Sequence, residues 1–170
     1  MTKPLIVLSD SHGYEKELAV IHDRYEPDVT IIHCGDSELD PKNPYVKNMT
    51  IVKGNCDAGA FPEVKLIEWG GYRLFVAHGH RHGVKQSPEA IVQSAKQNEA
   101  HVVLHGHSHI AEAFDYQGIL VVNPGSVRLP RMRKEKTYAE LHAEGNDIII
   151  HCKEFTSGRT IFKEKWSSVR

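Results

Sequence analysis

The sequence has few cysteines and no excess of either charge. Its three cysteines, Cys34, Cys56 and Cys152, are too few and too widely spaced for the disulfide framework of a small secreted protein. Lys and Arg number 21 against 22 Asp and Glu, which gives a formal net charge of -1. This balance excludes a general basic surface for nucleic acid or anionic membranes, although nucleic acid is not excluded as a substrate. A small phosphorylated substrate would therefore have to be attracted by a local cluster of charge.

Long hydrophobic runs are also missing. No apolar stretch reaches the roughly 18 residues that indicate a membrane-spanning helix. The apolar run before Asp10 is too short for the hydrophobic region of a signal peptide. We therefore expect a cytoplasmic protein that does not enter the membrane. The length of 170 residues, with no Pro- or Ser-rich linker, predicts a single domain over residues 1–170.

The first two thirds of the chain alternate strand and helix patterns, whereas the last third contains strand patterns alone. Helical spacing predicts helices over 14–25 and 87–100, and a Gly-Gly pair predicts a hairpin within 64–80. We therefore predict an α/β fold in which two mixed sheets pack as a sandwich flanked by helices. Apolar runs predict further strands at 4–9, 28–36, 48–57, 101–106, 111–116, 118–126, 136–144, 147–155 and 159–164.

Histidine is abundant, with twelve in the chain, and many stand beside glycine just after a predicted strand. Each such stretch alone is better explained by a turn, a helix cap or ordinary histidine packing, but that explanation does not account for five successive strand ends together. Strand ends in parallel α/β sheets form a crevice in which sites are built. The polar residues at these ends are Asp10, His12, Asp36, Asn55, Asp57, His78, His80, His82, His105, His107 and His109.

Carboxylate, amide and imidazole groups without thiolate are ligands suited to divalent transition metals. Mn²⁺ is the first candidate, with Fe²⁺, Zn²⁺ and Ni²⁺ as alternatives. Seven of these eleven residues, taken as ligands, would be too many for one ion. They would suit a pair of ions roughly 3.5–4 Å apart that share a carboxylate. The sequence therefore predicts two divalent metal ions.

The order Asp-x-His, Gly-Asp, Gly-Asn, His and Gly-His-x-His over residues 10–109 resembles the calcineurin-like metallophosphoesterase family. The short length and the "GNCD" and "NPGS" stretches are most similar to its small single-domain phosphodiesterases of bacteria and archaea. The resemblance implies a four-layer αββα sandwich. It also implies that Asp36 bridges two metals, with the first held by Asp10, His12 and His109 and the second by Asn55, His78 and His107.

The reaction implied by the resemblance is hydrolysis of a phosphoric ester, with in-line attack by a hydroxide held between the metals. Asp36 and Asn55 would take part directly, and a phosphodiester is the favoured substrate. The alternatives are a phosphomonoesterase and a non-catalytic, protein-binding scaffold of the same fold.

One position departs from the family pattern. Many members have Gly-Asn-His where this chain has Cys56, and a thiol with a pKa of ~8.5 is a poorer proton donor at neutral pH than imidazole. We expect His80 to assist at the phosphate instead, the alternative being an ordinary loop histidine, with Asn55, Ser126 and Arg128 as substrate contacts. His105 matches no ligand position and is expected to pack or to orient a ligand. The apolar residues of 160–166 are expected to be exposed and to favour a homo-oligomer.

Overall fold

Two mixed β-sheets packed face to face make up this computed structural model. The first sheet has the order β11-β10-β9-β1-β2-β3, and the second has the order β4-β5-β6-β8-β7. Residues 2–169, which the structure describes, form eleven strands: β1 (Leu5–Leu8), β2 (Thr30–His33), β3 (Thr50–Ile51), β4 (Val64–Trp69), β5 (Tyr72–Ala77), β6 (Val102–Leu104), β7 (Glu112–Tyr116), β8 (Ile119–Asn123), β9 (Thr137–Glu144), β10 (Asp147–Glu154) and β11 (Thr160–Ser167).

Strand β1 shows why a continuous apolar run is needed at the centre of a sheet. It pairs in parallel with β2 and antiparallel with β9, and all four of its residues are buried. Because strand side chains alternate, Leu5 and Val7 pack into the core between the sheets, and Ile6 and Leu8 pack into the outer layer. Each such burial stabilises the fold by about 1.5–3 kcal/mol.

One α-helix covers the outer face of each sheet. Helix α1 (Ala19–Arg24) buries Ile21 against the first sheet, and helix α2 (Glu89–Gln97) buries Ile91 and Ala95 against the second. The predicted four-layer sandwich is therefore confirmed.

Helix α1 is shorter than the predicted span of 14–25. Its first turn is a 3-10 turn over Lys16–Leu18, because the chain before it is tied to the loop after β2, where the Gly13 amide donates to Ser37 O at 2.8 Å. At the other end Tyr25 is already extended, with φ of -118° and ψ of 156°. Pro27 disfavours helical backbone at the residue before it, so the helix cannot continue.

The predicted hairpin is present, with Gly70 and Gly71 between β4 and β5 at φ of 60° and 83°. Positive φ at both central residues is what a tight two-residue hairpin turn requires. The expectation of exposed apolar residues at 160–166 is wrong. Trp166 is 6% exposed within the core between the sheets, and its indole N–H donates to Asp115 at 2.7 Å.

Strands β1, β2 and β3 run parallel in the first sheet, and β5, β6 and β8 run parallel in the second. Their carboxyl ends lead into loops that meet at one edge of the sandwich. No helix within residues 2–169 has the length and apolar character needed to cross a bilayer.

Candidate metal centre

Asp10, two residues beyond β1, lies at the middle of the converging loops. Its side chain is fully buried, and its Oδ1 is 3.2 Å from His109 Nε2 and 3.7 Å from both His12 Nε2 and His78 Nε2. One carboxylate oxygen thus faces imidazole nitrogens from three separate loops.

Asp36, beyond β2, is the second shared carboxylate. Its Oδ2 is 3.1 Å from His78 Nε2, and its Oδ1 accepts the Cys56 amide at 2.8 Å. The Asp36 amide in turn donates to Asp57 Oδ2 at 2.8 Å, so the loop after β3 holds the loop after β2 in place.

The Nδ1 positions of three imidazoles are committed to acceptors outside the centre. His78 Nδ1 donates to Cys34 O at 2.7 Å, and His109 Nδ1 donates to Leu129 O at 2.7 Å. His12 Nδ1 donates to the Glu38 carboxylate at 2.8 Å. A neutral imidazole that donates from Nδ1 carries its lone pair on Nε2, and in all three rings Nε2 faces Asp10 or Asp36.

When the rings of His12 and His109 are both neutral, as metal ligands must be, this arrangement directs their lone pairs at one another. His12 Nε2 and His109 Nε2 are 3.2 Å apart, although each ring already donates from Nδ1. Asp10 Oδ1 and His78 Nε2 are buried and have no hydrogen-bond partner among the described residues. Buried polar atoms are rarely left in this way, and bound cations would satisfy all four of these nitrogen and oxygen atoms.

Three overlapping groups of residues have ligand atoms within 4.8 Å of one another. Asp10, His12 and Asp36 each belong to two of these groups, and a pair of metal ions requires ligands shared in this way. The groups are Asp10 with His12 and His109, Asp10 with Asp36 and His78, and His12 with Asp36 and Cys56.

The carboxylates and imidazoles shift each other's pKa values strongly. Burial opposes ionisation of Asp10, yet His109, His12 and His78 hold its pKa well below the usual range. Contact with Asp10 raises the pKa of His12 to about 9, against the effect of burial and with help from Glu38. Burial lowers the pKa of His107 to about 4, which keeps that ring neutral and able to act as a ligand.

Left-handed backbone occurs at most of these positions, which ordinary residues adopt only at a cost in free energy. Such strain is typical of functional sites, since the surrounding loops must hold it in place. The residues and φ values are Asp10 at 56°, His12 at 41°, Asp36 at 60°, His107 at 72° and His109 at 64°.

Two glycines let the loops approach this closely. A Cβ on Gly54 would lie 2.1 Å from Asp36 Oδ1, and a Cβ on Gly106 would lie 2.1 Å from Ser9 Oγ and 2.5 Å from Asp10 Oδ2. Any side chain at either position would displace a carboxylate of the centre.

The structure also brings His107 to the centre, whereas Asn55 stands at its rim. The His107 ring lies 5.1 Å from that of His78, and its amide donates to Asp10 Oδ2 at 3.1 Å. Asn55 is exposed, and its amide nitrogen contacts Cys56 Sγ at 3.6 Å. His105 is buried, with Nδ1 2.9 Å from Gly106 O, in keeping with the expected packing role.

His80 and Cys56 each lie beside a different part of the centre, His80 next to His78 and Cys56 next to Asp36. The His80 ring is 5.4 Å from that of His78, its Nδ1 is buried without a hydrogen-bond partner in the described chain, and burial lowers its pKa. Cys56 is exposed, yet partial desolvation of its sulfur, together with the negative charge of Asp36, raises its pKa to about 11. At neutral pH the thiol is therefore protonated, unless a bound cation draws off the proton.

Of the three predicted substrate contacts, Asn55 and Arg128 are exposed at the rim and Ser126 is not. The Ser126 hydroxyl is fully buried, donates to Asp10 O at 2.7 Å and accepts the Leu129 amide at 2.7 Å. This geometry gives Ser126 a positioning role beneath Asp10 in place of the predicted contact with substrate. Arg128 is exposed, donates to His12 O and lies over the Tyr14 ring.

Three residues that organise the centre were not assigned by sequence reasoning. Glu38 holds His12, and Asp57 accepts amides of Asp36, Glu38 and Gly54 at 2.7–2.8 Å. His33 Nε2 lies 2.8 Å from Ser11 Oγ in the buried base of the site. Asp57, directly after Gly-Asn-Cys, carried a positional signal, whereas Glu38 and His33 carried none.

The chain matches the model of the calcineurin-like phosphoesterase superfamily domain over residues 4–146. It belongs to that superfamily. A probable metallophosphoesterase of Bacillus subtilis, YsnB, is 44% identical over 148 residues, which cover 86% of this chain and 88% of the relative. This family assignment supports metal-dependent hydrolysis of phosphoric esters.

Solved structures agree with the fold. A predicted phosphoesterase of Streptococcus pneumoniae has a TM-score of 0.91 and 30% identity, over 98% of each chain. Vps29 of Entamoeba histolytica, in a complex with Zn²⁺, has a TM-score of 0.74 and 18% identity, over 97% of this chain and 99% of that one. At that identity the second likeness establishes the shared fold alone.

Proposed function

We propose that this phosphoesterase is a dinuclear metallophosphodiesterase. Asp36 would bridge the two ions, with Asp10, His12 and His109 on the first and Asn55, His78 and His107 on the second. The observation that carries the proposal is the pair of Nε2 atoms of His12 and His109, 3.2 Å apart, with both Nδ1 atoms already donating elsewhere. Such a contact is repulsive unless a cation or a proton lies between the rings.

The bound ions would supply positive charge for the phosphoryl oxygens and ionise water near neutral pH. The chain's own residues hold the donor atoms in place. Glu38, Cys34 O and Leu129 O fix the tautomers of His12, His78 and His109, as residues behind metal ligands commonly do. Asn55 and Arg128 at the rim would donate hydrogen bonds to the non-bridging oxygens, and His80 would act beside the second ion.

The diester preference rests on the resemblance to the family's small phosphodiesterases and on the absence of Gly-Asn-His, since Cys56 stands where that histidine would be. A protonated thiol with its pKa raised to about 11 is a weak general acid at neutral pH, so the leaving group receives little help. An acidic leaving group such as p-nitrophenolate departs readily without a proton, so esters of that kind are the ones we expect this protein to hydrolyse. The small size of the chain and its "GNCD" stretch, which resemble the family's small phosphodiesterases, favour a phosphodiester substrate.

Hydrolysis of bis-p-nitrophenyl phosphate beside p-nitrophenyl phosphate tests the proposal on metal-stripped protein, before and after addition of Mn²⁺. Diester hydrolysis that appears only with metal, at two equivalents bound, is the expected result. Preference for the monoester would make the protein a phosphatase, and saturation at one equivalent would overturn the dinuclear centre.

The same assay tests which metal is native and whether the protein is an enzyme or a non-catalytic scaffold. Mn²⁺ is proposed as the native metal, and parallel additions of Zn²⁺, Fe²⁺ and Ni²⁺ would identify a better one; Zn²⁺ is the ion in the Entamoeba Vps29 complex. Metal binding with no hydrolysis of either ester would favour a non-catalytic scaffold.

A further inference from the structure

Two clefts of opposite charge adjoin the metal centre. The first, of about 450 Å³, is lined by Glu38, Asp40 and Cys56 beside the loop after β2. The second, of about 290 Å³, is lined by Lys85, Ser108 and Arg131 beside the loop after β6. An anionic group attached to the substrate would be repelled from the first cleft and attracted to the second.

Lys85 and Arg131 are exposed cationic side chains whose charges are not paired with a carboxylate of the described chain. Neither side chain makes an ion pair or a hydrogen bond with any of residues 2–169. By contrast, Arg73, Arg81 and Arg159 each lie within 4 Å of a glutamate. Cations that no protein carboxylate neutralises are available to a ligand.

The second cleft is attached to the centre through the ligand loop itself. Ser108 stands between His107 and His109, and the Arg131 amide donates to His109 O at 2.9 Å. A group bound between Lys85 and Arg131 would therefore lie beside the His107–His109 side of the centre.

One carboxylate faces the same cleft. Glu112, at the start of β7, lines it, and burial raises the pKa of this glutamate. Two cations against one carboxylate leave the cleft net positive, and Val84 and Ile110 supply an apolar wall. This lining suits an anionic group on an organic body.

We propose that Lys85 and Arg131 form a specificity site for a second anionic group of the substrate, so that the substrates are phosphodiesters carrying a further phosphate or similar anion. This inference rests on the proposed phosphodiesterase function and deepens it.

Two chromogenic diesters that differ by one phosphate test the site. Thymidine 5′-(p-nitrophenyl phosphate) has only the scissile diester, and its 3′-phosphorylated form adds an anion. We expect the wild-type protein with Mn²⁺ to have a kcat/KM about tenfold higher on the 3′-phosphorylated ester, mainly through KM, as charge-assisted contacts give. Lys85→Gln with Arg131→Gln should abolish that preference and leave bis-p-nitrophenyl phosphate hydrolysis unchanged. Lys163→Gln, on edge strand β11, is the matched control.

Equal rates on the two nucleotide esters, or a preference that survives the double substitution, would overturn the site. If no ester is hydrolysed, the proposed function fails, and the site is then tested by calorimetry in EDTA with thymidine 3′,5′-bisphosphate. Binding weakened about tenfold by the double substitution would support it, and binding equal to wild type would refute it.

Discussion

The metal centre and the cluster around Glu140 are both built from buried ionisable groups, but only one of them is satisfied. Glu140, 8% exposed on β9, accepts from Tyr25, from Lys153 at 2.9 Å and from His142 at 2.7 Å. At the centre, Asp10 Oδ1 and His78 Nε2 have no hydrogen-bond partner among the described residues. Clustering of charge is therefore a weak sign of function. A cluster whose donors and acceptors do not match calls for a ligand, whereas a matched one stabilises the fold.

The strongest test of this difference removes a shared carboxylate from the unmatched cluster. Asp36→Asn should lower metal-dependent ester hydrolysis by more than about 100-fold, the upper range for groups behind a metal ligand, since a ligand itself is lost. Calorimetry with Mn²⁺ should show loss of at least one equivalent in parallel. Asp23→Asn, on the exposed face of α1, is the control and should change neither. Full metal content and rate in Asp36→Asn would mean that Asp36 is not shared.

A second substitution keeps every ligand residue but reduces the space between the loops. Gly106→Ala puts a methyl group 2.1 Å from Ser9 Oγ and 2.5 Å from Asp10 Oδ2, so Asp10 must move. We expect a fall in metal affinity of roughly 10- to 100-fold, comparable to loss of a supporting hydrogen bond. Gly145→Ala, whose Cβ meets nothing within 4 Å, should keep wild-type affinity despite its φ of 62°. Equal affinities in the two variants would show that the loop yields readily.

A smaller fall in metal affinity is expected when the acceptor that holds a ligand imidazole is changed. His78 and His109 donate to backbone carbonyls, which no substitution removes, whereas His12 donates to the Glu38 side chain. Glu38→Gln keeps a hydrogen-bond acceptor but removes its charge, so we expect about a tenfold loss in affinity for one of two metal ions. Titration that resolves the two equivalents would detect it. Equal weakening of both would contradict the assignment of His12 to a single ion.

The sequence predicted the positions of the strand ends but not the arrangement of groups behind the ligands. Apolar runs indicate buried parallel strands such as β1 and β6. The polar residues that follow these strands therefore had to meet at one edge of the sandwich. Glu38 could not be assigned because its contact with His12 depends on left-handed backbone at both residues. Ser126 was predicted to contact substrate because Asn-Pro-Gly-Ser follows a strand beside the centre, yet its hydroxyl turns inward to Asp10 O. The direction in which a loop side chain points is set by tertiary contacts, which local sequence patterns do not encode.

A substitution in the matched cluster around Glu140 should change the stability of the protein and leave its activity unchanged. Burial would raise the pKa of Glu140, but Tyr25, Lys153 and His142 hold it at about 2, below the value of ~4.3 for an exposed glutamate. A lowered folded-state pKa stabilises the protein above the unfolded pKa, and this contribution is lost as the pH falls from about 5 towards 2. Glu140→Gln should therefore cost about 2 kcal/mol in free energy of unfolding at pH 7, and much less at pH 3.5. Urea denaturation at both pH values measures this, and Glu164→Gln on β11 is the exposed control. Metal-dependent hydrolysis by Glu140→Gln should be unchanged at pH 7, because the cluster around Glu140 is satisfied without a bound ligand. A fall in rate at full metal occupancy would show that the two clusters are coupled, and the distinction between them would be wrong.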